Sequence, residues 1–256
     1  GHLPLILGPD RTKLSKRHGS FAVADFRQEG YLPEAIINYM AFLGWNPGDE
    51  KEIYSLPSLV KEFSLEKVQK GGAIFNIKKL ESLNGFYIRQ RSIEKLTELC
   101  LPYLVENGLI APVVKEEKSS SSPSVVKEEK SSSSLKYKNS ETDEEISSDV
   151  FQKIITIYRE RLKKTSEIVG LADFFFKEIL DYNKELLKWK DMKEEEVKDI
   201  LDKLENILSK IDEKNWTKEN LENVLLLQAE RIGDRGKVLW PLRTALTGKE
   251  ASAGPF

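Results

Sequence analysis

Cysteine is almost missing from this chain. Cys100 stands alone, so no intrachain disulfide and no thiolate metal site can form, and a reducing cytoplasm is the natural setting. No other metal site is predicted, and histidine is scarce, with His2 and His18 only. No apolar run approaches the roughly 18–20 residues needed to cross a bilayer, so no membrane partner is expected. The start, GHLPLILGPD, has an apolar patch but neither a basic n-region nor a small-residue cleavage site, and does not read as a signal peptide. An excess charge of one sign is also lacking. Lys and Arg number 40 against 42 Asp and Glu, a formal net charge of −2. Bulk charge therefore gives no support for non-specific nucleic-acid binding, and any RNA contact must come from local patches.

What is present is a soluble, well-charged chain of 256 residues, 39% hydrophobic and 32% charged, long enough for two domains. Two basic patches stand out. Residues 10–17, DRTKLSKR, carry four basic groups against one acidic group. Residues 229–249 carry Arg231, Arg235, Lys237, Arg243 and Lys249 against Glu230 and Asp234. On charge alone each is equally the solvated face of a globular protein.

A low-complexity stretch divides the chain. Residues 113–122 read VVKEEKSSSS, and residues 125–134 repeat the string, joined by Pro123 and Ser124. Serine fills eight of those twenty repeat positions and no apolar face exists, so burial cannot offset the entropy of ordering them. The tract is expected to run on through LKYKNSETDEEISS to about Ser148 as a surface insertion.

Before it, elements are short and punctuated. Pro33 suits the first turn of a helix carrying Ile36, Met40 and Leu43, which Gly44 ends. A second short helix is expected after Ser64, broken at Gly71-Gly72, and AIFNI at 73–77 reads as a strand. Asn76 can cap a helix through Leu80 and Leu83, closed by Asn84-Gly85. Residues 92–107 read as helix, with Pro102 interrupting or restarting it. After the insertion the pattern is helical nearly throughout. Val150, Ile154 and Ile157 make one stripe, and Val197, Ile200, Leu201, Leu204, Ile207, Leu208 and Ile211 a cleaner one. Thr217 is a cap for a helix with Leu221, Val224, Leu225 and Ile232 inward, stopped by Gly233. These stripes read as the packed core of a helical bundle.

The segment richest in chemistry is HLPLILGPDRTKLSKRHG at 2–19, where an apolar run ends at Gly8-Pro9 and a loop presents Lys13, Lys16 and Arg17 around the small Ser15. Such a loop can hold a polyphosphate with point charges, although basic loops are common. KLSKR at 13–17 resembles the lysine–any–serine–lysine–basic loop of class I aminoacyl-tRNA synthetases, and the wider string is similar to its form in bacterial glutamyl-tRNA synthetases. FRQEGYLPEAIINYMAFLGWNPGDE at 26–50 and FNIKKLESLNGFYIR at 75–89 resemble that family's stem-contact region. GKVLWPLRTALTGKEASAGPF at 236–256 is similar to the segment where its second helical anticodon subdomain begins.

The resemblance implies a mainly α-helical fold: a small α+β stem-contact domain followed by an α-helical anticodon-binding bundle. Its divisions would be 1–19, the end of a catalytic domain; 20–91, stem contact; and 92–256, anticodon binding, with the insertion at 113–148. It implies ATP with Mg²⁺, L-glutamate and tRNA(Glu) as substrates and partners of a monomeric enzyme. Lys13 and Lys16 would be catalytic, and Lys13, Ser15, Lys16 and Arg17 would bind ATP. In YRERLKKTSEI at 158–168, Arg161, with Arg159 next, is implied as the arginine favouring cytosine at the third anticodon position. Either is equally a surface arginine paired with Glu160 or Glu167. The family's histidine–any–glycine–histidine motif is not found around His2 or His18, so the chain is expected to be truncated at both ends and inactive alone. Competing readings are a glutaminyl-tRNA synthetase, whose C-terminal part is β-barrel; a paralogue that modifies queuosine in tRNA, which lacks the anticodon domain; and a non-catalytic tRNA-binding module.

Overall fold

The structure, a computed structural model, describes residues 2, 4–15, 22–48, 50–113 and 136–255. The chain divides into two compact units, Gly1–Leu171 and Ala172–Phe256. The division lies inside the span 92–256 that the sequence assigned to one helical domain.

In the first unit, strand β1 (Ile6–Leu7) pairs in parallel with β2 (Ala73–Ile74). Helices α1 (Val23–Gln28), α2 (Pro33–Phe42), α3 (Leu56–Glu62), α4 (Ile77–Arg89) and α5 (Ile93–Glu106) follow the chain around this pair. Pro33 opens α2, where its fixed φ fits and its missing N–H costs nothing. Ser55, Asn76 and Ser92 cap α3, α4 and α5, each accepting from an N–H of the first turn. Phe26, Tyr31, Ile36, Tyr39, Phe75, Leu80 and Leu83 form one core between α1, α2 and α4, and Leu14 packs on its edge. Trp45, Tyr54 and Leu59 form a second.

The chain continues through β3 (Ile110–Pro112), β4 (Tyr137–Asn139) and β5 (Glu145–Ile146), a three-stranded antiparallel meander, into α6 (Ser148–Tyr158). The repeated strings lie outside the described residues except for Val113, whose N–H donates to the Lys136 carbonyl at 2.8 Å. The intervening residues 114–135 therefore connect two paired strands.

The second unit contains α8 (Glu194–Leu208), α9 (Lys218–Ile232) and α10 (Arg235–Thr247), numbered after α7 (Ile168–Ala172) at the division. Val197, Ile200, Leu204, Leu225, Ala229, Val238 and Leu242 close its core with Met192. Thr217 caps α9, and Gly233, at φ +80°, ends it.

The mainly helical, α+β-then-α reading holds, with six corrections within it. Pro102 neither interrupts nor restarts its helix, since α5 runs unbroken through it. The expected helix after Ser64 is a single 3₁₀ turn, Leu65–Lys67, and the helix of that region, α3, starts after Ser55. Asn84-Gly85 does not end α4: both residues are buried mid-helix, because tertiary contacts absorb what looked like a stop signal. The α6 stripe is Phe151, Ile154, Ile155 and Tyr158, leaving Val150 and Ile157 exposed at 43% and 46%. Met40 and Ile232 also face outward. Finally, residues 136–148 are not part of a featureless insertion, since Tyr137 is buried edge-on against Phe151 with ring centroids 5.9 Å apart.

Candidate functional site

The lysine loop is built on a tight backbone turn. Leu7 and Lys13 face each other across an antiparallel bridge, the Gly8 N–H donates to the Thr12 carbonyl at 2.8 Å, and the Arg11 N–H donates to the Gly8 carbonyl at 2.9 Å. Arg11 takes the left-handed conformation, φ +61°, that such a turn demands. Asp10 Oδ1 accepts from the Thr12 N–H at 3.0 Å and from its hydroxyl at 2.8 Å, an Asx turn. On the far side the Leu7 carbonyl accepts from the Phe75 N–H at 2.8 Å, and Leu14 anchors in the core. Lys13 and Ser15 are exposed at the end of this turn. Lys16, Arg17 and His18 lie outside the described residues.

A second group lies between α4 and the segment 160–167. An open cleft of about 480 Å³ is lined by Lys78, Glu81, Ser82, Gly85, Arg89, Glu160, Arg161, Leu162 and Lys163. Lys163 lies 3.8 Å from Glu81, and Arg89 lies 3.9 Å from Glu160. Arg161 is exposed on the rim, and among the described residues no ion pair holds it. Both acids offered to it by the sequence are taken elsewhere. Glu160 pairs with Arg89, and Glu167 Oε2 accepts from the Lys163 and Lys164 N–H groups at 2.8 and 3.2 Å.

Arg159, two residues away, is placed differently. It is half-buried, and its Nη2 donates to the Arg89 and Arg91 carbonyls, the latter at 3.0 Å. The Arg89 carbonyl ends α4, where a cation is favoured by unpaired C=O groups, and the Arg91 carbonyl lies in the link to α5. The structure thus separates the two candidates: Arg159 is bonded into the fold, and Arg161 is exposed with no ion pair among the described residues.

Sequence reasoning missed Asn84. Fully buried, it accepts from the Leu32 N–H at 2.8 Å and donates to the Gly30 and Lys163 carbonyls at 3.3 and 2.5 Å. Nearby, Thr165 donates its N–H (3.1 Å) and hydroxyl (3.3 Å) to the Gly30 carbonyl, and Ser166 donates to that of Glu29 at 2.6 Å. Only its position in a string resembling a synthetase stem-contact region pointed at it.

Electrostatics follow burial. The Tyr31 phenol is pushed well above its ordinary range by burial first, then by the charges of Glu81, Glu29 and Glu167. Burial raises Glu34, but its bond to Arg91, a backbone bond and the Arg91 charge together outweigh that and hold the carboxyl below the usual range. Burial drives the Cys100 thiol up to about 12, which removes it as a nucleophile. Among the described residues, no group of three or more His, Cys, Asp or Glu is placed to hold a metal ion. No helix there is long and apolar enough to cross a membrane.

Residues 1–82, from the lysine turn through the start of α4, match the catalytic domain of class I tRNA synthetases (E and Q). Residues 95–256 match the anticodon binding domain. Glutamate–tRNA ligase 1 of Caldicellulosiruptor saccharolyticus is 36% identical over 253 residues, 97% of this chain and 45% of that protein. The chain belongs to the glutamate–tRNA ligase family. The Moorella thermoacetica ligase is 33% identical over 256 residues, covering 100% of this chain and 46% of that protein. A crystal structure of a glutamate tRNA ligase from Elizabethkingia meningosepticum in complex with its amino acid superposes at TM-score 0.72 and 29% identity, over 99% of this chain and 46% of that one. The family is the one that the lysine loop and stem-contact strings resemble. The chain spans less than half the length of these ligases.

Proposed function

We propose that this chain is the part of a glutamate–tRNA ligase that serves ATP from the lysine-loop side and holds tRNA(Glu). The reaction activates L-glutamate with ATP and transfers it to the tRNA. Glutamate attacks the α-phosphorus, and negative charge grows on the departing pyrophosphate. An ammonium already placed there, such as Lys13 or Lys16, lowers that barrier. The turn at Gly8–Thr12 supports this role for Lys13, since it fixes the backbone from which the side chain reaches. Ser15 and Arg17 complete the phosphate contacts, and Mg²⁺ accompanies ATP as part of the substrate. The enzyme acts as a cytoplasmic monomer in translation.

The observation that carries the tRNA half is Arg161, exposed beside a charged cleft with both neighbouring acids engaged elsewhere. A guanidinium in that state suits base-edge hydrogen bonding and stacking on unpaired loop bases. Arg159 is the second anticodon-side arginine, acting at most through the brace it forms. The divisions proposed are a catalytic end at 1–19, a stem-contact domain at 20–91 and an anticodon-binding part from 92 onward. With no histidine–any–glycine–histidine motif in these 256 residues, the polypeptide by itself behaves as a tRNA-binding module. The test has two arms. Pyrophosphate exchange by this polypeptide with glutamate, ATP and tRNA stays at background. In the whole enzyme, Arg161→Gln lowers the preference for the glutamate anticodon over the glutamine one about tenfold in kcat/KM, which corresponds to losing roughly 1–3 kcal/mol of base contact. Unchanged preference rejects the assignment of Arg161.

A further inference from the structure

We infer that Asn84 is a positioning residue for anticodon discrimination, the joint that holds the Arg161 segment in register with α4 and the α1–α2 turn. The inference rests on the proposed role of Arg161.

The geometry carries it. A carboxamide has one acceptor oxygen and two N–H donors, and here each is used on a different piece of chain. Its oxygen takes the Leu32 N–H at 2.8 Å, one N–H serves the Gly30 carbonyl at 3.3 Å, and the other serves the Lys163 carbonyl at 2.5 Å. One donated N–H and two facing carbonyls leave only one way to seat the amide group. Sequence separations of 52, 54 and 79 residues show that none of these bonds is local. Next to it, the Leu162 carbonyl packs on α4 at Gly85, where a β-carbon would meet it at ordinary contact distance, 3.4 Å. Arg161 is therefore followed at once by two residues pressed against or bonded to α4. A buried polar group with all its partners supplied makes one arrangement of these segments much better than its neighbours. The charges facing this joint are Glu29 on the α1–α2 turn, Glu81 on α4, and Lys163, Lys164 and Glu167 on the Arg161 segment.

Asn84→Asp separates positioning from packing, because the side chain keeps its shape. Ionised, it turns a carboxylate oxygen toward two carbonyls and the joint opens. Protonated, it donates to one of them again. The chain is assayed at pH 8 and pH 5 for binding of tRNA(Glu) against the same tRNA with a glutamine anticodon, and for amide exchange at Thr165. At pH 8 Asn84→Asp loses about tenfold in discrimination, the factor that corresponds to about 1.4 kcal/mol, and Thr165 exchanges faster. At pH 5 both measures move back toward wild type, whereas Asn84→Ala stays impaired at either pH. Since wild type carries the same surrounding charges, its own pH profile is subtracted. If Asn84→Asp fails to fold at pH 8, the pH 5 comparison decides: recovery in Asp but not Ala supports the joint, and equal behaviour overturns it. Wild-type discrimination and wild-type Thr165 exchange in Asn84→Asp at pH 8 also overturn it. Arg161→Gln discriminates poorly at both pH values with Thr165 exchange unchanged. Should Arg161→Gln discriminate normally, the reading of Arg161 has failed, and Thr165 exchange alone then judges the joint.

Discussion

Gly30 is a position at which a single methyl group should disturb the segment that carries Arg161. Its φ is +86°, and a β-carbon would lie 2.5 Å from Thr165 Oγ1, 2.7 Å from the Ser166 nitrogen and 2.8 Å from the Thr165 nitrogen. Two of these neighbours are backbone, so the Thr165 segment itself must move. In Gly30→Ala the left-handed backbone costs roughly 1–2 kcal/mol. Displacing Thr165 removes two bonds to the Gly30 carbonyl, worth ~0.5–1.5 kcal/mol each. The sum is about 3 kcal/mol. With a urea m-value of about 2 kcal/mol/M, the midpoint falls by roughly 1.5 M. Gly108 is the control: it has φ +70° in the same unit, with nothing within 4 Å of a β-carbon. Gly108→Ala carries the backbone cost alone, so its midpoint falls by roughly 0.5–1 M. Amide exchange in α4, read across a urea series, follows this unit without contribution from the other. A Gly30→Ala midpoint no lower than that of Gly108→Ala would refute the close-packed joint.

Arg159 and Arg161 should part in stability as well as in binding. Arg159→Ala removes one charged donor group and its two bonds to the carbonyls of Arg89 and Arg91 and costs about 2 kcal/mol, a fall in Tm of roughly 4–8 °C. Arg161→Ala stays within about 0.5 kcal/mol; equal losses by calorimetry would contradict the separation of brace from contact. In the second unit, Asp173 bonds Lys249 at 2.6 Å and Lys177 at 3.1 Å. Burial alone would raise its carboxyl, but the two lysines hold it below the ordinary 3.8. A depressed folded-state pKa adds stability above the unfolded value, and that stability is lost as pH falls through the folded value. Asp173→Asn should therefore be less stable than wild type at neutral pH, and the gap should close below about pH 4. A gap that persists in acid would show that the charge is not what Asp173 supplies.

The sequence was most legible where one physical signal dominates. The α8 stripe survived because Val197, Ile200 and Leu204 repeat on one face of an otherwise charged helix, and packing had nothing to override. Pro33, Asn76, Thr217 and Gly233 act where local backbone chemistry placed them. The failures have a common cause in contacts distant along the chain. Asn84-Gly85 has the composition of a helix end, yet Asn84 finds Leu32 and Lys163, and Gly85 finds Leu162. The polar string 136–148 looked unfoldable by composition, but Tyr137 needs only Phe151 and two neighbouring strands to bury it. The lysine turn was legible as a motif, while its anchoring through β2 and Leu14 was not. For the anticodon side, the sequence offered two arginines two residues apart. Only burial and hydrogen bonds distinguish the one that caps α4 from the one that faces solvent.

The central claim is that this chain recognises the anticodon of tRNA(Glu). It is tested by measuring the affinity of the 256-residue polypeptide for tRNA(Glu) and for the anticodon-swapped tRNA at two salt concentrations, in wild type and Arg161→Gln. The account predicts that both affinities fall with salt, while the ratio between the tRNAs, about tenfold for one lost base contact, persists in wild type and collapses in Arg161→Gln. Salt-sensitive binding indifferent to the anticodon, with Arg161→Gln indistinguishable from wild type, would contradict it.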